Sequence, residues 1–110
     1  MLLKLKSLKH VEIVSVEGRL DGRGSDEFET ILKGLTERGR RKIVIDCSKL
    51  DYIDSGALRT LVNTLKETKR GNGNVILYKV GTRIADTLKL VGFLSLFDNY
   101  DDLLEAVDAF

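Results

Sequence analysis

Little in this 110-residue chain can carry metal or redox chemistry, since it has one cysteine, Cys47, and one histidine, His10. One cysteine cannot close an internal disulfide, and one of each cannot assemble a His/Cys metal set. Cys47 ends an apolar strand and reads as a small buried residue, ahead of a redox role. Neither sign of charge is in excess, 18 basic against 17 acidic side chains, so no field is present to hold nucleic acid or an anionic membrane. No apolar run approaches the length of a membrane span, and the first residues lack the continuous apolar region of a signal peptide. A soluble, cytoplasmic protein with no nucleic-acid and no membrane partner is expected. Linkers, repeats and low-complexity segments are missing too. At 43% hydrophobic and 32% charged residues, the composition is that of one globular domain, residues 1–110.

What is present is organised around Ile43 to Leu58. It opens with a fully apolar run, Ile43 to Ile45, of the kind a strand shows when both faces are buried. It closes on Asp54-Ser55-Gly56, and Leu58, Leu61, Val62 and Leu65 then follow at helical spacing. Ser55 therefore stands where a strand ends and a helix begins, at the positive end of the helix dipole. Such a place takes either a capping hydroxyl or a phosphate.

Residues 2 to 8 alternate leucine with lysine or serine and predict an edge strand with one wet face. Val11 to Val16 predicts a second strand, joined to the first as an antiparallel hairpin through Lys9-His10. Gly18 to Ser25 reads as a glycine-rich loop, with Ser25 as the N-cap of a helix and Asp26 and Glu27 in its first turn. That helix carries Phe28, Ile31, Leu32 and Leu35 on one face and ends near Gly39; Arg40, Arg41 and Lys42 are its solvated exit. After the central strand (43–47) and the helix at about 56–70, Gly71 to Asn74 is a turn and Val75 to Val80 another strand. A short helix through Ile84, Leu88 and Val91 stops at Gly92. Phe93 to Phe97 predicts a last edge strand. Asp101 and Asp102 open a final helix with Leu103, Leu104, Val107 and Phe110 on one face. Strands alternating with helices predict an α/β fold: a mixed, mostly parallel sheet of four to five strands covered by about four helices.

The residues offer no machinery for turnover. Ser55 lacks the first glycine of a G-x-S-x-G elbow, and the lone His10 sits on the distant hairpin. The glycines at 18, 22 and 24 fit neither G-x-G-x-x-G nor G-x-x-x-x-G-K-[ST], which leaves a nucleotide loop there a weak alternative. No catalytic residue, metal ligand or cofactor is assigned.

Three stretches together resemble a known family. They are Gly18-Arg19-Leu20-Asp21, the strand and turn from Ile43 to Leu58, and the late segment from Val80-Gly81-Thr82 to Val91-Gly92-Phe93. The chain resembles the STAS domain, and most closely the bacterial anti-sigma factor antagonists. The resemblance implies a switch rather than an enzyme. In that family the serine after the aspartate, here Ser55 after Asp54, is phosphorylated by an anti-sigma factor serine kinase of the histidine-kinase-like ATPase type. The unphosphorylated form binds the anti-sigma factor and frees the sigma factor; phosphorylation ends binding, and a PP2C-type phosphatase reverses it. Asp21, Arg23, Asp54, Ser55, Gly56 and Arg59 are the expected partner-binding residues, Asp21 by the family motif and Arg23 and Arg59 by position. Many members have two serines before the glycine, whereas here Gly56 follows Ser55 directly, leaving one acceptor. The competing reading within the family is a non-switching module of a larger signalling or lipid-transport assembly.

Overall fold

In the computed structural model, which describes residues 2–110, five strands form one sheet in the order β1-β2-β3-β4-β5. β1 (Leu2–Leu8) is antiparallel to β2 (Val11–Leu20), while β3 (Lys42–Ile53), β4 (Asn74–Tyr78) and β5 (Asp98–Tyr100) follow in parallel. Lys9 and His10 form the hairpin turn with φ of 51° and 66°, the left-handed backbone that lets a two-residue turn match strand twist. β1 is an edge strand as expected, but its leucines divide between the faces. Leu3 pairs with Val16 and packs on the main core, Leu8 pairs with Val11 on the other side, and Leu2 and Leu5 are about half exposed.

Because sheet order equals chain order, every parallel crossover steps in the same direction. Right-handed crossovers then put α1 (Gly22–Glu37), α2 (Ser55–Arg70) and α3 (Thr82–Leu90) on one face. Phe28, Leu32 and Leu35 of α1, Leu61 and Leu65 of α2 and Ile84 and Leu88 of α3 bury that face. The opposite face is left to α4 (Leu103–Asp108), whose Ala106 and Val107 pack on Val11, Ile13, Val44 and Ile76. Ile43 and Ile45 thus belong to one core and Val44 to the other. That is why the central strand is apolar at every position there.

Strand ends and the late segments depart from the sequence reading. β2 continues to Leu20 and β3 to Ile53, rather than ending at Val16 and Cys47, because they pair through two register shifts around Glu17 and Gly18. β4 ends at Tyr78, two residues before Val80. Phe93 to Phe97 is not a strand: Leu94–Leu96 is a turn of 3-10 helix, Phe97 drops into the core, and the edge strand is Asp98–Tyr100. On α4, Leu104 is exposed and Ala106 is buried in its place. With Asp102 as the N-cap, the faces at i, i+3, i+4 and i+7 are Leu103, Ala106, Val107 and Phe110.

Cys47 is buried, 4% exposed. Burial, with a smaller push from the Asp46 charge, drives its thiol up to about 12. The thiolate is the reactive form, so no labelling by an alkylating reagent is expected at pH 8 in the folded protein. Labelling should appear only with denaturant; fast modification under native conditions would show that this strand opens.

Candidate functional site

Strand pairing sets the site. Leu20 lies beside Ile53, and the Asp54 N–H donates to the Leu20 carbonyl at 3.0 Å. β2 and β3 therefore finish together, and α1 and α2 start side by side. Between their first turns lies the Asp54 carboxylate. Its Oδ1 accepts from the Ala57 N–H at 2.9 Å and from the Ser25 hydroxyl at 2.5 Å, and its Oδ2 accepts from the Gly22 N–H at 3.2 Å. One carboxylate caps α2 directly and α1 across the gap, satisfying N–H groups that have no partner inside their helices. Partial burial pushes the carboxyl pKa up, but the Ser25 hydroxyl and the Ala57, Gly22 and Gly56 N–H groups outweigh it. The result lies below the usual carboxylate value.

This arrangement corrects the reading of Ser25. α1 begins at Gly22, with Asp21 in the N-cap position, so Ser25 is a buried residue of the first turn and Asp26 and Glu27 lie beyond its start. Gly22, at φ +50°, lets the chain enter the helix almost directly from β2, a backbone that side chains disfavour. Asp21 makes no capping bond; its carboxylate pairs instead with Arg19 at 3.3 Å. The stretch from Gly18 to Ser25 is accordingly strand and helix, and the Gly22 N–H that a phosphate loop would offer is given to Asp54.

The cap of α2 is supplied by the neighbour of Ser55. Asp54 is the N-cap and Ser55 is the first helical residue. Ser55 is exposed, and its hydroxyl makes no hydrogen bond among the described residues. Gly56 faces both helix starts: a Cβ there would make ordinary contacts, 3.4 Å from Asp54 Oδ1 and 3.9 Å from Ser25 Cβ. One turn along α2, Arg59 is exposed and has no salt-bridge partner among the described residues. Ser55 and Arg59 share the rim of a shallow hollow of about 290 Å³, with Leu58, Val62, Val91 and Phe93 as its apolar lining. Leu90, the last residue of α3, and Val91, its C-cap, are 87% and 47% exposed.

The fold thus gathers Asp54, Ser55, Gly56 and Arg59 at one end of the molecule, with Asp21 at the adjoining start of α1. Arg23 is exposed on the first turn of α1 and makes no salt bridge among the described residues. Three features escape the sequence reading. Ser25 is a ligand of the Asp54 carboxylate, Val91 and Phe93 line the hollow, and the Arg19 guanidinium lies 4.0 Å over the Tyr52 ring. The last of these was open to inference, because Arg19 and Tyr52 each precede a buried residue, Leu20 and Ile53, in paired strands. Among the described residues there is no cluster of three or more histidine, cysteine or acidic side chains suited to a metal ion, and no helix long and apolar enough to cross a membrane.

Comparison with known proteins agrees with this geometry. The anti-sigma-B factor antagonist of Staphylococcus aureus is 29% identical over 83 residues, covering 76% of this chain and 77% of its own. Among solved structures, the anti-sigma factor antagonist SpoIIAA in its unphosphorylated form superposes with a TM-score of 0.86 at 15% identity, covering 98% of this chain and 95% of that one. The phosphorylated form of the Bacillus protein SpoIIAA superposes with a TM-score of 0.80 at 16% identity, covering 98% of both chains. The STAS domain model matches residues 3–106. The chain belongs to the STAS domain family.

Proposed function

We propose that this chain is an anti-sigma factor antagonist switched at Ser55, the 110 residues acting as one STAS unit. The observation that carries the proposal is the division of labour at the start of α2: Asp54 caps the helix, and the Ser55 hydroxyl is left exposed and unbonded. A modification there costs the fold no capping bond. The partner is an anti-sigma factor with serine kinase activity, and the unphosphorylated chain binds it and releases the sigma factor. In the switching step the γ-phosphoryl of ATP passes to Ser55 Oγ, the hydroxyl proton leaves to a base of the kinase, and ADP departs. A PP2C-type phosphatase hydrolyses the phosphate ester and restores the hydroxyl. The chain itself is the substrate and needs no catalytic group, metal or cofactor.

Electrostatics supports the direction of the switch. Phosphorylation adds about two negative charges at neutral pH, and the helix N-terminus tolerates them, so the fold remains. The outer surface changes instead. The apolar hollow beside Ser55, lined by Leu58, Val62, Val91 and Phe93, offers a partner buried area that is hard to use once a phosphate must be desolvated with it. Asp21, Arg23, Asp54, Ser55, Gly56 and Arg59 are assigned to the contact region. Within it Asp54 acts mainly by holding Ser55 in place, since its oxygens are already engaged.

Intact mass and peptide mapping of the protein from its native cells test this. The expected result is a fraction carrying one phosphate on Ser55, absent in Ser55→Ala. Capture from the same cells should retain an anti-sigma factor kinase on wild type and lose it on Ser55→Glu. Ser55 unmodified across growth and stress conditions, with equal capture by both proteins, would instead assign the chain to constitutive partner binding.

A further inference from the structure

We propose that Arg59 is the built-in counter-ion of the phosphorylated site, drawing the phosphate on Ser55 back along α2 and across the hollow. The inference rests on the reading of Ser55 as the modified residue. Ser55 and Arg59 are four residues apart on one helix, and helical side chains lean toward the helix N-terminus, so the Arg59 chain leans toward Ser55. Both stand on the rim of the same hollow.

The electrostatics of the unmodified chain leaves Arg59 unaccounted for. No acidic side chain pairs with it among the described residues. The nearest carboxylate in sequence, Asp54, is occupied by Ser25, Ala57 and Gly22. A phosphate on Ser55 supplies the missing partner in the favourable order, with the acid N-terminal to the base at i, i+4. Arginine offers phosphate a two-pronged donor, which lysine does not. The consequence is steric as well as electrostatic. A phosphate held toward Arg59 lies beside Leu58, one turn along the helix from Ser55, so the modification covers part of the apolar surface that a partner would bury.

The test installs phosphoserine at position 55 during translation, so it requires no kinase. The second ionisation of the phosphate is then followed by ³¹P NMR in the full chain, in Arg59→Gln and in Arg23→Gln. An adjacent cation favours the dianion, and a helix-surface ion pair corresponds to about 0.3 pH units. The phosphate in the wild-type background should therefore titrate about 0.3 units lower than in Arg59→Gln, and Arg23→Gln should match wild type. The Arg59 side-chain Nε–H signal should move with the same midpoint. Equal midpoints in all three proteins, or a shift only in Arg23→Gln, overturns the proposal. Arg59 is exposed, and the amide spectra of the variants verify the fold. Because the phosphate is supplied synthetically, failure of the clamp leaves the cellular mass measurement standing, and an unmodified Ser55 in cells leaves the titration standing.

Discussion

Replacing Asp54 with alanine is expected to cost about 3 kcal/mol of stability, a large share of what a domain of this size has. Loss of an N-cap accounts for about 1 kcal/mol. The remainder comes from Ser25, whose buried hydroxyl loses its 2.5 Å acceptor and keeps only the Leu20 carbonyl at 3.5 Å; a poorly met buried donor costs about 1–3 kcal/mol, whereas the exposed Gly22 N–H turns to water. Urea unfolding of Asp54→Ala, Ser25→Ala and the double variant measures this. Because Ser25 and Asp54 share one bond, the double variant should be less destabilised than the sum of the singles. Strict additivity would mean that the bond contributes nothing. Asp54→Asn keeps one acceptor oxygen and should lose about 1 kcal/mol.

The same carboxylate gives the protein an acid-sensitive element with a definite sign. Its folded pKa is lowered, so its contribution is fully present above the unfolded value of about 3.9 and is lost as pH falls through the folded value. The stability gap between wild type and Asp54→Asn should be constant from about pH 5 upward and close below about pH 4. A gap that widened on acidification would place the pKa shift in the opposite direction.

Gly73→Ala is expected to destabilise by about 3 kcal/mol, the upper end for overpacking. A Cβ at Gly73 would collide with the Arg41 carbonyl oxygen and fall 2.6 Å from Arg41 Cβ and 2.7 Å from its carbonyl carbon. These atoms cannot step aside, because that carbonyl accepts from the Asn74 N–H at 3.0 Å, at the opening of the β3–β4 pairing. Gly71→Ala provides the contrast. Its Cβ would meet only the outer side chain of Arg41, and the Arg41 Nε is buried with no hydrogen-bond partner, so moving that chain forfeits no bond. Thermal unfolding should show about 1 kcal/mol or less for Gly71→Ala, recovered in combination with Arg41→Ala. Gly73→Ala should not be recovered by Arg41→Ala, because the clash is with backbone. Recovery there would show that the chain around Arg41 yields.

Hydrophobic period and turn residues, read along the chain, were sufficient for the element order, the buried faces of α1 and α2, the hairpin and the position of Ser55 at a strand-to-helix junction. All of these depend on neighbours within a few residues. The glycine-containing motif and the Asp54-Ser55-Gly56 turn were equally legible as a family resemblance, and the family match over residues 3–106 agrees. What the sequence left open was decided by contacts between segments distant in the chain. Whether Asp54 or Ser55 caps α2 could not be read from the dipeptide, because either side chain can do it. The choice follows from Gly22 and Ser25, which stand some thirty residues away and come to Asp54 only when β2 and β3 pair from Leu20 to Ile53. The same holds for the apolar run at Phe93 to Phe97, where apolar character alone cannot separate a ladder strand from a turn that drops one phenylalanine into the core. Local pattern determined which residues turn inward; strand pairing determined which side chains meet, and so left the Ser55 hydroxyl free.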